Sequence, residues 1–236
     1  MNKIYIIIPT YNERGNIAKL LPQIFELGIK NLTVLVVDDN SPDGTGQLVE
    51  ELKKENSQID ILHRSEKLGL GKAYIAGFKE ALAKEADYIF EMDADLSHDP
   101  KYIPQILQAA DKYDLILGSR YIKDGGVSNW NLSRRLISRF GNIYARIILG
   151  LPYADLTGGF KCYRRKVLNK IGLNDFSSVG YNFQIETTYK AHKLGFKIKE
   201  IPIIFTERAQ GKSKFNIKII LESFWKVLQL RLKNKL

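Results

Sequence analysis

The chain has one cysteine in 236 residues. Cys162 can close no intrachain disulfide, and a metal site built on thiolates is excluded; a single cysteine fits a reducing compartment. No run approaches the roughly 18–20 consecutive apolar residues of a membrane span. The apolar run in "MNKIYIIIPTYNERGN" has no small-residue cleavage site after it, so it reads as a buried strand rather than a signal peptide. Repeats, low-complexity segments and a clear linker are missing, and a single domain is the simplest account of this length. "LGLGKAYIAG" fails as a dinucleotide fingerprint, because Tyr74 stands where the third glycine is required and Gly77 comes too late. It is not a P-loop either; Gly69 and Gly71 read as a turn into a helix. No grouping of serine, cysteine and histidine suggests a hydrolytic triad.

Acidic residues are scarce in one stretch. Between 212 and 236 there are seven basic residues against Glu222 alone, so this segment carries +6 of the net charge of +10. A second basic group is "SRRLISR", with Arg134, Arg135 and Arg139. Such clusters attract nucleic acid, phosphorylated substrates or anionic lipid, or form a solvated face.

What is present is an alternation. "KIYIIIP" and "LTVLVVD" are short, β-rich and almost wholly apolar, as in strands covered on both faces. "QIDILH", "DYIFEMD" and "YDLILGS" continue the series. Helical patterns lie between them at 15–27, 45–55, 71–84 and 101–111. The pattern predicts an α/β fold with right-handed crossovers. The second half is less regular: helices over 134–149 and 183–194, strands at "GGFKCYRR" and "FKIKEIPIIF", and a terminal helix in "NIKIILESFWKVLQLRLKNKL".

Three strand ends carry acids or turn residues: "PTYNE", "DDNSPDGT" and "DADLSHDP". Open parallel sheets bind ligands beyond the carboxyl ends of their strands. If these strands are neighbours, Pro9, Glu13, Asp38, Asp39, Asp93 and Asp95 line one crevice. On an extended segment Asp93 and Asp95 point the same way. Like charges so close call for a cation, and hard divalent ions bind through one or two carboxylates plus substrate phosphates. His98 stands as a further ligand or a plain loop residue. "DDNSPDGT" is equally a plain turn, with Thr45 a helix cap, or a place where Asp38 or Asp39 meets a base or ribose. Arg208, Lys212 and Lys214 in "TERAQGKSK" can clamp a diphosphate or form a basic loop. Asn31 and Asn131 match a glycosylation pattern that means nothing without a secretion signal.

Taken in order, "IIPTYNERGNI", "VVDDNSPDGT", "KLGLGKAYIAGF", "MDADLSHDP", "GSRY", "GGVSNW", "SRRLISRFGN", "DLTGGFKCYRR", "GYNFQIETTYKAHKLGFKIKEIPI" and "ERAQGKSK" resemble the family 2 glycosyltransferases of the dolichol-phosphate (polyprenol-phosphate) mannose synthase type. The resemblance covers nearly the whole chain. It implies a GT-A fold, a Rossmann-like mixed sheet with helices on both faces and a nucleotide-diphosphosugar in its crevice. It places Pro9, Tyr11, Glu13, Val37 and Asp39 on the nucleoside, and Asp93, Ala94 and Asp95 on the diphosphate and metal. The metal is Mg²⁺ or Mn²⁺, with Asp95 the direct ligand. Arg208 and Lys214 clamp the diphosphate; Arg120, Arg134 and Ser138 receive the acceptor's phosphate. Catalysis falls to Asp93, Asp95 and Arg120. Where some relatives have glutamine as a metal ligand this chain has Ser97, which leaves room for water in the metal shell.

The implied reaction is inverting hexose transfer, from GDP-mannose first and UDP-glucose second, to a polyprenyl or dolichyl monophosphate. A family 2 transferase with a saccharide acceptor is the alternative. Nucleic acid is not an expected partner. The expected division is a catalytic domain over 1–214 and a basic amphipathic helix over 215–236, either part of that domain or a contact with an anionic membrane surface. In the helix, Ile217, Ile220, Leu221, Phe224, Leu228 and Leu232 recur at helical spacing beside Trp225. The protein is expected to be peripheral on the cytoplasmic face of a membrane, with a separate membrane subunit a possible anchor.

Overall fold

In the computed structural model, residues 2–176, 180–207 and 217–233 are described, without the side chains of 181, 217–223 and 233. The first half alternates without interruption: β1 Ile4–Thr10, α1 Arg14–Phe25, β2 Leu32–Asp38, α2 Thr45–Glu55, β3 Ile59–His63, α3 Leu70–Ala83, β4 Tyr88–Glu91, α4 Ile103–Ala110 and β5 Leu115–Ser119. Then follow β6 Gly126–Ser128, α5 Leu132–Leu149, β7 Lys161–Arg164, α6 Arg165–Lys170, α7 Tyr181–Lys193, β8 Ile198–Pro202, β9 Ile204–Thr206 and α8 Ile217–Lys233.

The main sheet has seven strands in the order β3-β2-β1-β4-β7-β5-β8. All pair in parallel except β7, which runs antiparallel to both β4 and β5. Because β2, β1 and β4 are neighbours, the three acid-bearing strand ends lie side by side, which meets the condition set in the sequence for one crevice. The segment "FKIKEIPIIF" is not one strand. It breaks after Pro202, and β9 leaves the main sheet to pair with β6 in a two-stranded ribbon.

Strand periodicity divides the core. Ile4, Ile6 and Ile8 face one layer with Ile17, Leu20 and Ile106; Tyr5 and Ile7 face the other with Tyr74, Phe78 and Phe183. Both faces are covered, which is why β1 and β2 read as continuous apolar runs. A third cluster joins Ala145, Leu149, Ile185 and Tyr189 to Val227 and Leu230 of α8, which lies against α5 and α7.

Gly77 sets the distance between α3 and the sheet. A Cβ there would stand 2.3 Å from Ile7 Cγ2 and 3.1 Å from Val37 Cγ2. Gly77→Ala is therefore expected to cost about 2–3 kcal/mol through overpacking, read as a lower denaturant midpoint. Unchanged stability would show that the contact relaxes.

Candidate active site

The crevice is assembled from three strand ends, and each turns away through a left-handed residue. These are Asn12 (φ 61°), Asn40 (φ 56°) and Leu96 (φ 63°). Asparagine tolerates this region; leucine does so at a cost on the order of 1–3 kcal/mol. The strained backbone at Leu96 sits between the second aspartate and Ser97.

The β1 and β2 loops are tied to each other. Asp38 accepts from Thr10 Oγ1 at 2.9 Å and from both the hydroxyl and the amide of Ser41, so it is a buried bracket. Thr45 does not cap its own helix. Its hydroxyl donates to Asp43 and accepts from the Glu13 amide, while Asp43 also accepts from the Arg14 amide at the start of α1. Burial would raise the Asp43 carboxyl, but these hydrogen bonds outweigh it and hold it below its ordinary value. Asp39 pairs with Arg64 at 2.6 Å. Burial pushes the Asp39 carboxyl up, with Arg64 opposing it. Tyr11 is exposed, and the Lys67 ammonium lies 3.6 Å from its ring centre. Pro9 and Glu13 are partly exposed at the same rim. Val37 is wholly buried against Gly77, so it can offer a nucleoside only backbone atoms.

The β4 strand ends at Glu91, and Asp93 to Ser97 form a bend beyond it. The extended-segment reasoning for Asp93 and Asp95 therefore does not apply. Their placement comes from the bend itself. Asp93 is partly exposed and accepts from the Tyr74 hydroxyl at 3.0 Å. Burial and the neighbouring Asp93 push the Tyr74 phenol well above its ordinary value, so it stays a donor. Asp95 is buried, and its Oδ1 accepts from the amide and hydroxyl of Ser97. Ala94 is buried in the core layer. His98 is also buried: its Nδ1 accepts from the Asp93 amide at 3.0 Å and its ring stacks on Phe160. Burial lowers its pKa, and the neutral ring acts as a bracket for the bend.

Among the described residues, no three His, Cys, Asp or Glu side chains form a metal-holding group. A partly exposed Asp93 and a buried Asp95 on one bend still suit a hard divalent ion, provided diphosphate oxygens and water complete its shell.

On the other side of the crevice, Arg120 is buried in a bidentate pair with Asp155. Nε and Nη2 each donate at 2.7 Å, and Nη2 also donates to Thr157. Burial would raise the Asp155 carboxyl, but the Arg120 charge and the hydrogen bonds hold it below its ordinary value. Rings of Tyr121, Trp130 and Phe205 surround the guanidinium. Arg134 lies 4.1 Å from the Trp130 ring centre and pairs with Glu207 at 2.8 Å. One turn along α5, the Ser138 hydroxyl accepts from Tyr121 at 2.7 Å. Asn131 caps α5 by accepting from the Arg134 amide. Asn142 fastens the helix to the loop after Asp155, bonding the amides of Leu156 and Thr157 and the Thr157 hydroxyl. Glu200 holds the amides of Ala154 and Asp155. Arg208 and Lys214 lie outside the described residues.

Sequence reasoning missed Arg64, Tyr74, Asn142, Asp155 and Glu200. Asp155 stood in the block "DLTGGF", but only the fold brings it to Arg120, 35 residues away.

The sequence model of the family Glycosyl transferase family 2 matches residues 5–172. The chain belongs to this family. It is 42% identical over 233 residues to a polyprenol monophosphomannose synthase of Mycolicibacterium smegmatis, covering 98% of this chain and 88% of that protein. It is also 42% identical over 221 residues to an undecaprenyl-phosphate mannosyltransferase of Micrococcus luteus, covering 94% and 90%. Among solved structures, glucosyl-3-phosphoglycerate synthase of Mycobacterium tuberculosis, in complex with Mn²⁺, UDP and glucosyl-3-phosphoglycerate, superposes with a TM-score of 0.69. That match has 18% identity and covers 98% of this chain and 79% of the other. The fold is GT-A, and the enzyme is a glycosyltransferase.

Proposed function

We propose that the protein transfers mannose from a nucleotide-diphosphosugar, GDP-mannose foremost, to a polyprenyl monophosphate, with inversion at the anomeric carbon. The names of the two relatives at 42% identity support the sugar and the acceptor. The observation in the site that carries the reading is the state of Asp155. A saccharide hydroxyl needs a general base. The buried carboxylate on the acceptor side is locked to Arg120 and held ionised with a depressed pKa, so it is a poor proton acceptor. A phosphate monoester arrives already anionic and needs positioning instead.

In this reading Asp93 and Asp95 hold the donor diphosphate through Mg²⁺ or Mn²⁺. A divalent ion there supplies positive charge to the leaving nucleoside diphosphate. Arg208 and Lys214 assist from the late loop. Tyr11, Glu13, Asp39 and the backbone at Pro9 and Val37 meet the nucleoside. Arg134 and Ser138 take the acceptor phosphate. Arg120, neutralised by Asp155, gives that phosphate a fixed hydrogen-bond donor with little net charge. UDP-glucose is the second donor to test.

The assay is incubation with each nucleotide-sugar, polyprenyl phosphate and either metal, followed by mass analysis of the lipid. A hexosyl lipid phosphate is the expected product; sugar found only on a saccharide would reject the reading. Arg134→Ala is expected to raise the lipid-phosphate KM about 10–100-fold, the worth of a charge-assisted hydrogen bond, and to spare nucleotide affinity. Lost nucleotide affinity with unchanged lipid use would reverse the two pockets.

No helix among the described residues is long and apolar enough to cross a membrane. The meeting with a lipid is instead supported by the outer face of α5. Leu132, Leu136, Phe140, Ile143 and Ile147 are all exposed at spacings of three or four, in one stripe. Exposed Arg135, Arg139 and Arg146 flank it, and Arg139 and Arg146 form no ion pair among the described residues. A stripe of apolar residues edged with arginine matches an anionic bilayer surface.

A further inference from the structure

One row of α5 is unused by the proposed reaction. Arg139, Asn142, Ile143 and Arg146 follow one another at turn spacing, so they share one side of the helix. With Tyr121 and Ala154 from neighbouring segments they line a cavity of about 150 Å³.

The donors open to a ligand in this cavity belong to the two arginines. The Tyr121 hydroxyl donates to Ser138, and Asn142 Nδ2 donates to the Ser138 carbonyl and the Thr157 hydroxyl. Both arginines are exposed, and neither forms a hydrogen bond or ion pair among the described residues. The acids of the adjoining segments are committed elsewhere. Asp155 accepts from Arg120 and Gly158; Glu200 accepts from Ser119 and the amides of Ala154 and Asp155. Two like charges on one cavity are unfavourable, and an anion held between them relieves the repulsion. Guanidinium forks match the oxygens of a phosphate.

This is not the position proposed for the acceptor's phosphate. Arg134 and Ser138 lie on the side of α5 that meets Trp130 and Tyr121. Arg146 stands three turns beyond Arg134, about 18 Å along a helix axis. A phosphate held by Arg134 is out of its reach.

The kind of anion follows from Ile143, which belongs both to the cavity wall and to the exposed apolar stripe of α5. The far side of that stripe is closed by α8, where Phe224 packs on Tyr144. A molecule with its charged head between the arginines can therefore lay hydrocarbon on Ile143 and its stripe neighbours. That is the chemistry of a phospholipid. Since the tyrosine and asparagine hydrogens are already given, the cavity selects a head group by charge.

We propose that Arg139 and Arg146 bind the phosphate of an anionic bilayer phospholipid, at a site separate from that of the acceptor. This rests on the membrane-facing reading of α5 and is independent of the sugar and the acceptor. Holding α5 at the phosphate layer brings its Arg134–Ser138 end to the depth where a polyprenyl phosphate presents its own head.

The test measures binding of short-chain phosphatidylglycerol, short-chain phosphatidylcholine and inorganic phosphate by calorimetry, with both lipids below their micelle concentrations. The proteins are wild type, Arg139→Gln with Arg146→Gln, and Arg135→Gln as a neighbouring charge outside the cavity. All three side chains are exposed, and glutamine is a good helix former, so the variants should fold. Wild type is expected to bind phosphatidylglycerol at one site and phosphatidylcholine or inorganic phosphate at least about tenfold more weakly. The double variant should lose about 10–100-fold, and Arg135→Gln should stay within about twofold of wild type. Equal binding by wild type and the double variant, or an equal loss in Arg135→Gln, would overturn the site in favour of diffuse attraction. Inorganic phosphate bound as tightly as the lipid would overturn the lipid assignment. So would displacement of phosphatidylglycerol from this site by a short-chain prenyl monophosphate at lower concentration, which would give the cavity to the acceptor. A wild type that binds the short-chain lipid as expected yet does not sediment with anionic vesicles would overturn the membrane reading of α5 and leave the phosphate site standing.

Discussion

Asp95→Ala is expected to abolish sugar transfer while leaving the fold in place. The carboxylate sits on the bend after β4, outside the ladder of the sheet, where it accepts from the amide and hydroxyl of Ser97. Loss of these bonds should cost the fold about 1–2 kcal/mol, well within what a domain of this size tolerates. The catalytic loss is larger. In the proposed reaction Asp95 is the carboxylate that ties a divalent ion to the leaving diphosphate. Charge stabilisation by such an ion is worth several kcal/mol, or about a thousandfold in rate. Asp95→Asn should behave the same way, since an amide retains the acceptor for Ser97 but not the charge. The measurements are lipid-linked turnover, thermal melting, and metal-dependent binding of the bare nucleoside diphosphate. A cooperatively folded variant with near-normal turnover would sink the assignment of Asp95.

How far the crevice is legible in sequence depends on the range of the interactions that build it. The first five strands and their helices announce themselves through local pattern, because strands buried on both faces must be apolar throughout. The neighbouring of β2, β1 and β4 was only a condition in the sequence, and the sheet order supplies it. The antiparallel insertion of β7 did not follow from the alternation. "KCYR" looks like any buried strand, and its direction is fixed by partners that come from far along the chain. The break between β8 and β9 was hidden for a similar reason: "EIPIIF" is apolar enough to continue, but β9 finds its partner in β6, outside the main sheet.

The site shows the same division. Asp93 and Asp95 are visible as a pair in any reading, although the geometry that presents them is a left-handed turn at Leu96 and not strand alternation. His98 looked like a candidate ligand because of its company. Its Nδ1 accepts from the Asp93 amide and its ring stacks on Phe160, a bracing role that no spacing rule could foresee. Arg120 entered only through the family resemblance, as a residue for the acceptor's phosphate. Its pairing with Asp155 was not legible, and that pairing changes its chemistry from a positive charge to an oriented donor.

The proposed membrane contact carries the second large expected effect. For the tail helix the sequence leaves two readings, a part of the catalytic domain or a contact with an anionic membrane surface through Ile217, Ile220, Leu221, Phe224, Leu228 and Leu232 beside Trp225. In the fold, α8 turns Val227 and Leu230 inward against Ala145, Leu149 and Tyr189, while Phe224 is half-buried against Tyr144. Leu232 and Trp225 remain exposed. Removing the chain beyond residue 216 would therefore uncover a core cluster and test stability as much as membrane binding. The exposed stripe belongs to α5, and the decisive variant is Leu136→Glu with Phe140→Glu. Both side chains are more than half exposed, so the fold should lose little. Full burial of such side chains is worth about 1.5–3 kcal/mol each, and partial insertion at an interface about half of that. The pair should therefore weaken partitioning onto anionic vesicles about 10–100-fold, and added negative charge should push it further. Trp225→Glu, at an exposed position of α8, should have a smaller effect. Co-sedimentation with vesicles of mixed neutral and anionic lipid measures all three proteins. Equal binding by wild type and the α5 variant, or a loss confined to Trp225→Glu, would move the contact off α5.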